Sequence, residues 1–205
     1  MARGEGILEL AVLGLLHEGP MHGYELRKQL TGLLGSLRAF SYGSLYPCLR
    51  QMQSRAWIVE DGPDETAVPA LTPRRAKTVY RLTAEGKEHF QAVLGENGPA
   101  AWEDEGFGVR FAFFGRTDAE VRLRILEGRR SRLEERTSTL RSSLQRTRER
   151  LDSYTLELQR HGLESVEREV RWLSEVIDTE RRTVTRRTPG DGGTDRTAPA
   201  RPDPS

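Results

Sequence analysis

Leu126, Leu133 and Leu140 stand seven residues apart, and Leu144, Leu151 and Leu158 continue the series after one step of four. An apolar residue every seven positions draws one seam along a helix, so this spacing predicts a helix of about forty residues. A second stripe, Val166, Val170, Leu173 and Ile177, with Trp172 beside it, predicts another. Neither helix can bury its stripe alone. Packing the two as an antiparallel hairpin and pairing that hairpin with a second copy covers both, which makes Leu126, Leu133, Leu140, Val170, Leu173 and Ile177 the candidate dimerisation residues. The plainer alternative is a hairpin closed within a monomer. The charged runs between the leucines, RRSRLEER and RTRERL, read as solvated flanks, because acidic residues nearly cancel the arginines.

The rest of the chain divides by composition into zones. Residues 5–94 mix apolar segments with turns, residues 100–187 are helical and densely charged, and residues 188–205, almost free of apolar side chains, are expected to be a disordered tail. Hydrophobic residues make up 36% of the chain and charged ones 31%, no apolar run is long enough to span a bilayer, and the start lacks a leader pattern. A cytoplasmic protein with no membrane partner is therefore expected. The single cysteine, Cys48, forbids an internal disulfide, and a net charge of +1 means that any nucleic-acid surface must be local.

In the first zone, Ile7 to Leu16 form a strongly apolar helix stopped by Gly19-Pro20, and a second helix starts near His22. The third lies in SYGSLYPCLRQM, residues 41–52. Leu45, Leu49 and Met52 make an apolar stripe there, while Tyr42, Tyr46, Arg50 and Gln53 run beside it as a polar face. Pro47 is best accommodated in a first turn, which puts the start near Ser44 as N-cap and offers exposed N–H groups to an anion such as phosphate. Trp57–Val59 and Thr78–Leu82 read as two strands joined by a long loop that ends in the basic residues Arg74, Arg75 and Lys77. Thr83 to Gly86 then caps a further helix carrying Phe90. Three helices followed by a two-stranded wing is a winged helix-turn-helix, whose third helix enters the major groove while the wing follows the backbone. The expected fold is mainly α with a small β-wing: this DNA-binding unit, then a two-helix coiled-coil-like dimerisation domain.

HGYEL at 22–26, GSLYPCL at 43–49 and YRLTAEG at 80–86 together resemble the PadR family of winged-helix transcriptional regulators. GVRFAFFGRTDAEVRLRIL at 108–126 and EREVRWLSEVI at 167–177 look like the helices of that family's C-terminal dimerisation domain, so the likeness covers about residues 7–185. The wing is longer than the family's, and the tail is extra. By position, the resemblance implies DNA contacts from Tyr24, Ser41, Tyr42, Ser44 and Tyr46 and from the wing residues Arg74, Arg75 and Lys77. Arg50 either reaches a guanine or touches only backbone. The resemblance also implies a homodimer on a pseudo-palindromic site in double-stranded DNA, acting as a repressor, since occupying a promoter needs no activating contact. A small-molecule inducer would bind near the dimer interface, with Trp102, Phe107, Phe111 and Trp172 either lining its pocket or serving as core.

No catalytic constellation is visible. His17, His22, His89 and His161 are scattered without ligand spacing, and there is neither a phosphate-cradling glycine loop nor a nucleophile motif. No enzyme, metal or cofactor is expected. Cys48, beside the Leu45 stripe, reads as a small core residue ahead of a redox sensor. The competing function is a dimeric scaffold whose winged helix binds protein instead of DNA.

Overall fold

The computed structural model describes residues 3–34, 42–61, 78–147 and 150–187. Helix α1 (Arg3–Glu18) is buried almost all round, with Leu8, Leu10, Ala11, Val12, Leu13, Leu15 and Leu16 inaccessible. A helix with no solvated face belongs at the centre of a core, and α2 (Gly23–Leu34), α3 (Tyr42–Ser54) and α4 (Ala84–Gly95) pack around it. Burying one such leucine contributes about 1.5–3 kcal/mol.

Three short strands close this unit: β1 (Met21–His22), β2 (Ile58–Asp61) and β3 (Val79–Leu82), antiparallel in the order β1-β3-β2. The register pairs Ile58 with Leu82 and Met21 with Tyr80, all four buried, so the apolar side of the pleat faces α1 and α4 while Arg81 points outward. The expected pair of strands is thus present, with a third added. His22, expected to open the second helix, pairs with Val79 instead, and the helix starts one residue later. A strand of two residues is too short to have a period of its own and exists only because β3 offers it an edge.

The capping motif forms as its residues predict. Thr83 precedes α4, and its hydroxyl accepts from the Gly86 N–H at 2.9 Å. The same hydroxyl donates to the Ala56 carbonyl at 2.7 Å, and the Thr83 N–H reaches the Trp57 carbonyl at 3.1 Å, so the start of α4 is tied to the end of α3. Gly86 is needed for that approach, because a Cβ there would lie 2.0 Å from the Trp57 carbonyl oxygen.

Beyond α4, a turn at Pro99–Ala101, helix α5 (Phe107–Ala112) and a turn at Phe114–Arg116 lead into α6 (Ala119–Thr147), against which α7 (Ser153–Arg187) returns. The single long helix expected through Leu158 is therefore two. Asp152 caps α7, its Oδ1 accepting the N–H groups of Tyr154 and Thr155, both at 3.0 Å. The Thr155 hydroxyl, donating to Oδ2, holds the Asp152 carboxyl below the usual carboxylate range, and the two backbone N–H groups add to it. Leu158 falls on the returning helix and is 71% exposed, so it takes no part in the seam. Leu126, Leu133, Leu173 and Ile177 are buried between α6 and α7, with Leu140 and Val170 partly buried at the edge of the same cluster. The seam they form is thus internal to one chain.

Buried arginines join the hairpin to the rest, contrary to the expectation that the arginine runs only flank it. Arg129, from RRSRLEER, has its side chain 7% exposed; Nε and Nη2 donate to Glu169, and Nη1 donates to Asp104 and to the Trp102 carbonyl. Its guanidinium also lies over the Phe107 ring, 5.2 Å from the centroid. Arg110 caps the far end of α4, donating to the carbonyls of Val93 (2.7 Å) and Glu96 (3.2 Å) and to the Glu96 carboxylate. A cation there meets the negative end of the helix. Local periodicity could not reveal either role, since both depend on partners 14 to 40 residues away.

Candidate nucleic-acid interface

Helix α3 resolves the puzzle of a proline among hydrogen-bonding residues. Leu45, Cys48, Leu49 and Met52 are buried on one side, whereas Ser44, Tyr46, Pro47 and Arg50 are exposed on the other. Contrary to expectation, Ser44 is not the cap. The helix begins at Tyr42, so Ser44 lies within its first turn and Pro47 is inside the helix. Pro47 removes one ladder hydrogen bond, a cost of about 3 kcal/mol in an unsupported helix. Burial of the four-residue stripe outweighs it. Cys48 contributes to that packing, its Sγ 3.8 Å from the Met52 sulfur, and is buried.

The C-terminus of α3 is closed by a left-handed turn. Ala56 has φ 58°, its N–H reaches the Gln53 carbonyl at 2.9 Å, and the Trp57 N–H reaches the Met52 carbonyl at 3.0 Å. This pair of bonds is the Schellman arrangement, at a position where glycine is usual. It directs the chain from the end of α3 straight into β2.

Tyr24 on α2 is 75% exposed and Tyr46 on α3 is 53% exposed, both large aromatic side chains left in solvent. The two helices approach there: a Cβ on Gly23 would lie 3.3 Å from the Tyr80 ring and 4.0 Å from the Tyr46 hydroxyl. Tyr80 faces the same corner from the central strand, and burial, reinforced by Glu60, pushes its phenol above the usual tyrosine range. The exposed hydroxyls of Tyr24 and Tyr46 are of the kind that donates to phosphate oxygens. Ser41, Arg74, Arg75 and Lys77 lie outside the described residues, as does the Tyr42 side chain. Of the expected contacts, Tyr24 on α2 and Ser44, Tyr46 and Arg50 on α3 are exposed to solvent.

The aromatic residues expected near a pocket mostly contact one another. Phe107, Phe111 and Trp172 form a ring cluster with centroids 5.2–6.3 Å apart, joined by Phe114 at 4.9 Å from Phe111. Trp102 is separate, packed where a Cβ on Gly128 would be 2.6 Å from its ring. Among the described residues no group of three His, Cys, Asp or Glu side chains could hold a metal ion, and no helix is long and apolar enough to cross a membrane.

A three-helix unit with a β-wing, presenting the polar face of its third helix, is a winged helix-turn-helix. Residues 12–92, which span that unit, match the model of the transcriptional regulator PadR-like family. No curated protein matches. Among solved structures, Bacillus subtilis PadR in complex with operator DNA is 20% identical, covering 85% of this chain and 99% of its own, with a TM-score of 0.40. A PadR-like regulator from Bacillus cereus is also 20% identical, covering 86% and 99%, with a TM-score of 0.38. A transcriptional regulator from Clostridium thermocellum is 25% identical over 43% of this chain and 77% of its own, with a TM-score of 0.36.

Proposed function

We propose that this regulator binds DNA sequence-specifically as a homodimer on a pseudo-palindromic operator, acts as a repressor, and releases the operator when a small molecule binds. The observation that carries the DNA reading is the exposure of Tyr24 on α2 and of Ser44, Tyr46 and Arg50 on α3, a helix whose stripe Leu45, Cys48, Leu49 and Met52 is buried. Large side chains left in solvent on a helix whose inner face is fully used are suited to a partner surface, and hydroxyls beside a guanidinium match phosphates and base edges. The domain reading is a DNA-binding unit over 5–94, a helical dimerisation domain over 100–187 and a tail from 188. Because the α6–α7 seam is internal, a second copy would be met through faces left outside it, such as that of the exposed Tyr154 and Leu158.

Purified protein is to be titrated with a labelled fragment from upstream of its own gene and with an unrelated fragment, each at two salt concentrations. Specific retention of the first with a steep salt slope is expected. Arg50→Ala should weaken binding, and the pattern of loss tells its role: confined to one base pair of the site if it reads a guanine, uniform with a slope lowered by about one if it touches phosphate. Weak and equal binding of both fragments, insensitive to salt, would refute the reading and favour a protein partner. Sedimentation at equilibrium should give twice the 23.2 kDa chain mass.

A further inference from the structure

Arginines of the α6–α7 hairpin are paired with carboxylates of the same chain, as Arg122 is with Glu180 and Arg141 with Glu167, both at 2.7 Å. In the winged-helix unit Arg55 is likewise held by Glu9 at 3.2 Å. Lys28 on α2 differs. Among the described residues its exposed side chain makes no hydrogen bond and no ion pair, although the exposed Glu25 stands three residues before it.

The period of α2 fixes where Lys28 points. Each residue turns a helix by about 100°. Leu26 and Leu30 are buried, and Tyr24 and Lys28 each precede one of them by two residues. Tyr24 and Lys28 therefore lie about 200° round from the buried stripe, one above the other on the solvent side of α2. At its N-terminal end α2 approaches α3, since a Cβ on Gly23 would lie 4.0 Å from the Tyr46 hydroxyl.

In a helix-turn-helix the first helix of the pair crosses the phosphate backbone while the second enters the groove. Lysine is a compact charge on a flexible stem, without the planar fork that reads a base edge, and it suits a phosphate. We infer that Lys28 is a positioning residue for DNA binding: its ammonium contacts a phosphate beside the Tyr24 hydroxyl and so helps to seat α3. Such a contact adds affinity for any duplex and carries no sequence information. The inference rests on the function proposed above.

Full-length wild type and Lys28→Gln are to be titrated by fluorescence anisotropy against the upstream fragment and the unrelated one, from about 50 to 200 mM salt. Lys28→Gln should weaken binding of both fragments by the same factor and lower the salt slope by about 0.9, so that the wild type's advantage shrinks about 3.5-fold across that range. Lys28→Arg keeps the charge and should keep the slope. Lys87→Gln is the control for lost charge alone. Its side chain is also exposed and without a partner among the described residues, but it stands on α4, where its charge acts on His17 together with that of Arg116. It should leave the slope unchanged. An unchanged slope in Lys28→Gln, a loss confined to the upstream fragment, a slope that Lys28→Arg fails to keep, or an equal fall in Lys87→Gln would each overturn the inference. Salt-insensitive and equal binding by the wild type would refute the DNA function and this contact with it, whereas a steep wild-type slope that Lys28→Gln leaves intact would remove the contact alone.

Discussion

Gly86→Ala tests the join between α3, the wing and α4. A methyl group at this position would sit 2.0 Å from the Trp57 carbonyl oxygen, 2.9 Å from its carbon and 3.0 Å from Leu82 Cδ2. The nearest atoms are backbone, so no side-chain rotation relieves the clash, and the first turn of α4 has to move by about 1 Å or more. Forced overpacking costs about 1–3 kcal/mol. The shift also strains the Thr83 cap, worth about 1 kcal/mol, and the bond from Thr83 N–H to the Trp57 carbonyl, worth about 1 kcal/mol. Against these stands the helix preference for alanine, about 1 kcal/mol. The expected net loss is about 2–4 kcal/mol. Urea unfolding followed by circular dichroism measures it, with Gly6→Ala as the matched control. Gly6 is also in a helix but has open space around its Cβ position, so it should gain about 0.5–1 kcal/mol. If both substitutions stabilise alike, the close approach of α4 to β2 is refuted and the glycine of YRLTAEG has no packing role.

Ala56→Gly should stabilise the protein by about 0.5–1 kcal/mol, because φ of 58° is strained for alanine and free for glycine; a lower midpoint in the same assay would contradict the Schellman turn. Arg129→Ala should cost about 2–4 kcal/mol, since it leaves Glu169 and Asp104 without their shared partner, while a loss below 0.5 kcal/mol would show that the guanidinium is not a tie. Burial, with Arg116 and Lys87 adding to it, lowers the pKa of His17 from 6.5. The folded state therefore binds fewer protons than the unfolded one, and stability present above about pH 6.5 falls as pH drops towards the folded pKa. Replacing His17 by Gln should flatten that fall, as read from thermal midpoints between pH 7 and pH 5.

Stripe and cap were legible because each depends on neighbours a few residues away. Leu45, Leu49 and Met52 point to one side of any helix they occupy, and Thr83 caps whatever helix follows it, so the inner face of α3 and the start of α4 could be read from the residues alone. The outer face follows by subtraction, which leaves Tyr46 and Arg50 in solvent. Proline preference points to Ser44 as the cap because it describes an unsupported helix, and the burial behind α3 overrides it. The leucine series crosses the turn between α6 and α7 in register, so spacing alone predicts one helix where there are two. DSYT at 152–155 was the available signal, an N-cap aspartate ahead of a new helix.

The meeting of Glu9 with Arg55 and His89 had no signature of this kind. Glu9 is 46 residues from Arg55 and 80 from His89, and none of the three belongs to a motif. By itself the sequence determined the inner faces of the N-terminal helices and the class of the N-terminal unit, since those follow from periods of a few residues. Only the tertiary structure decided that β1 exists, that Arg110 and Arg129 are buried ties, and that charges far apart in the chain meet beside Trp57. Each of these is set by the packing of segments whose separation along the chain carries no local pattern.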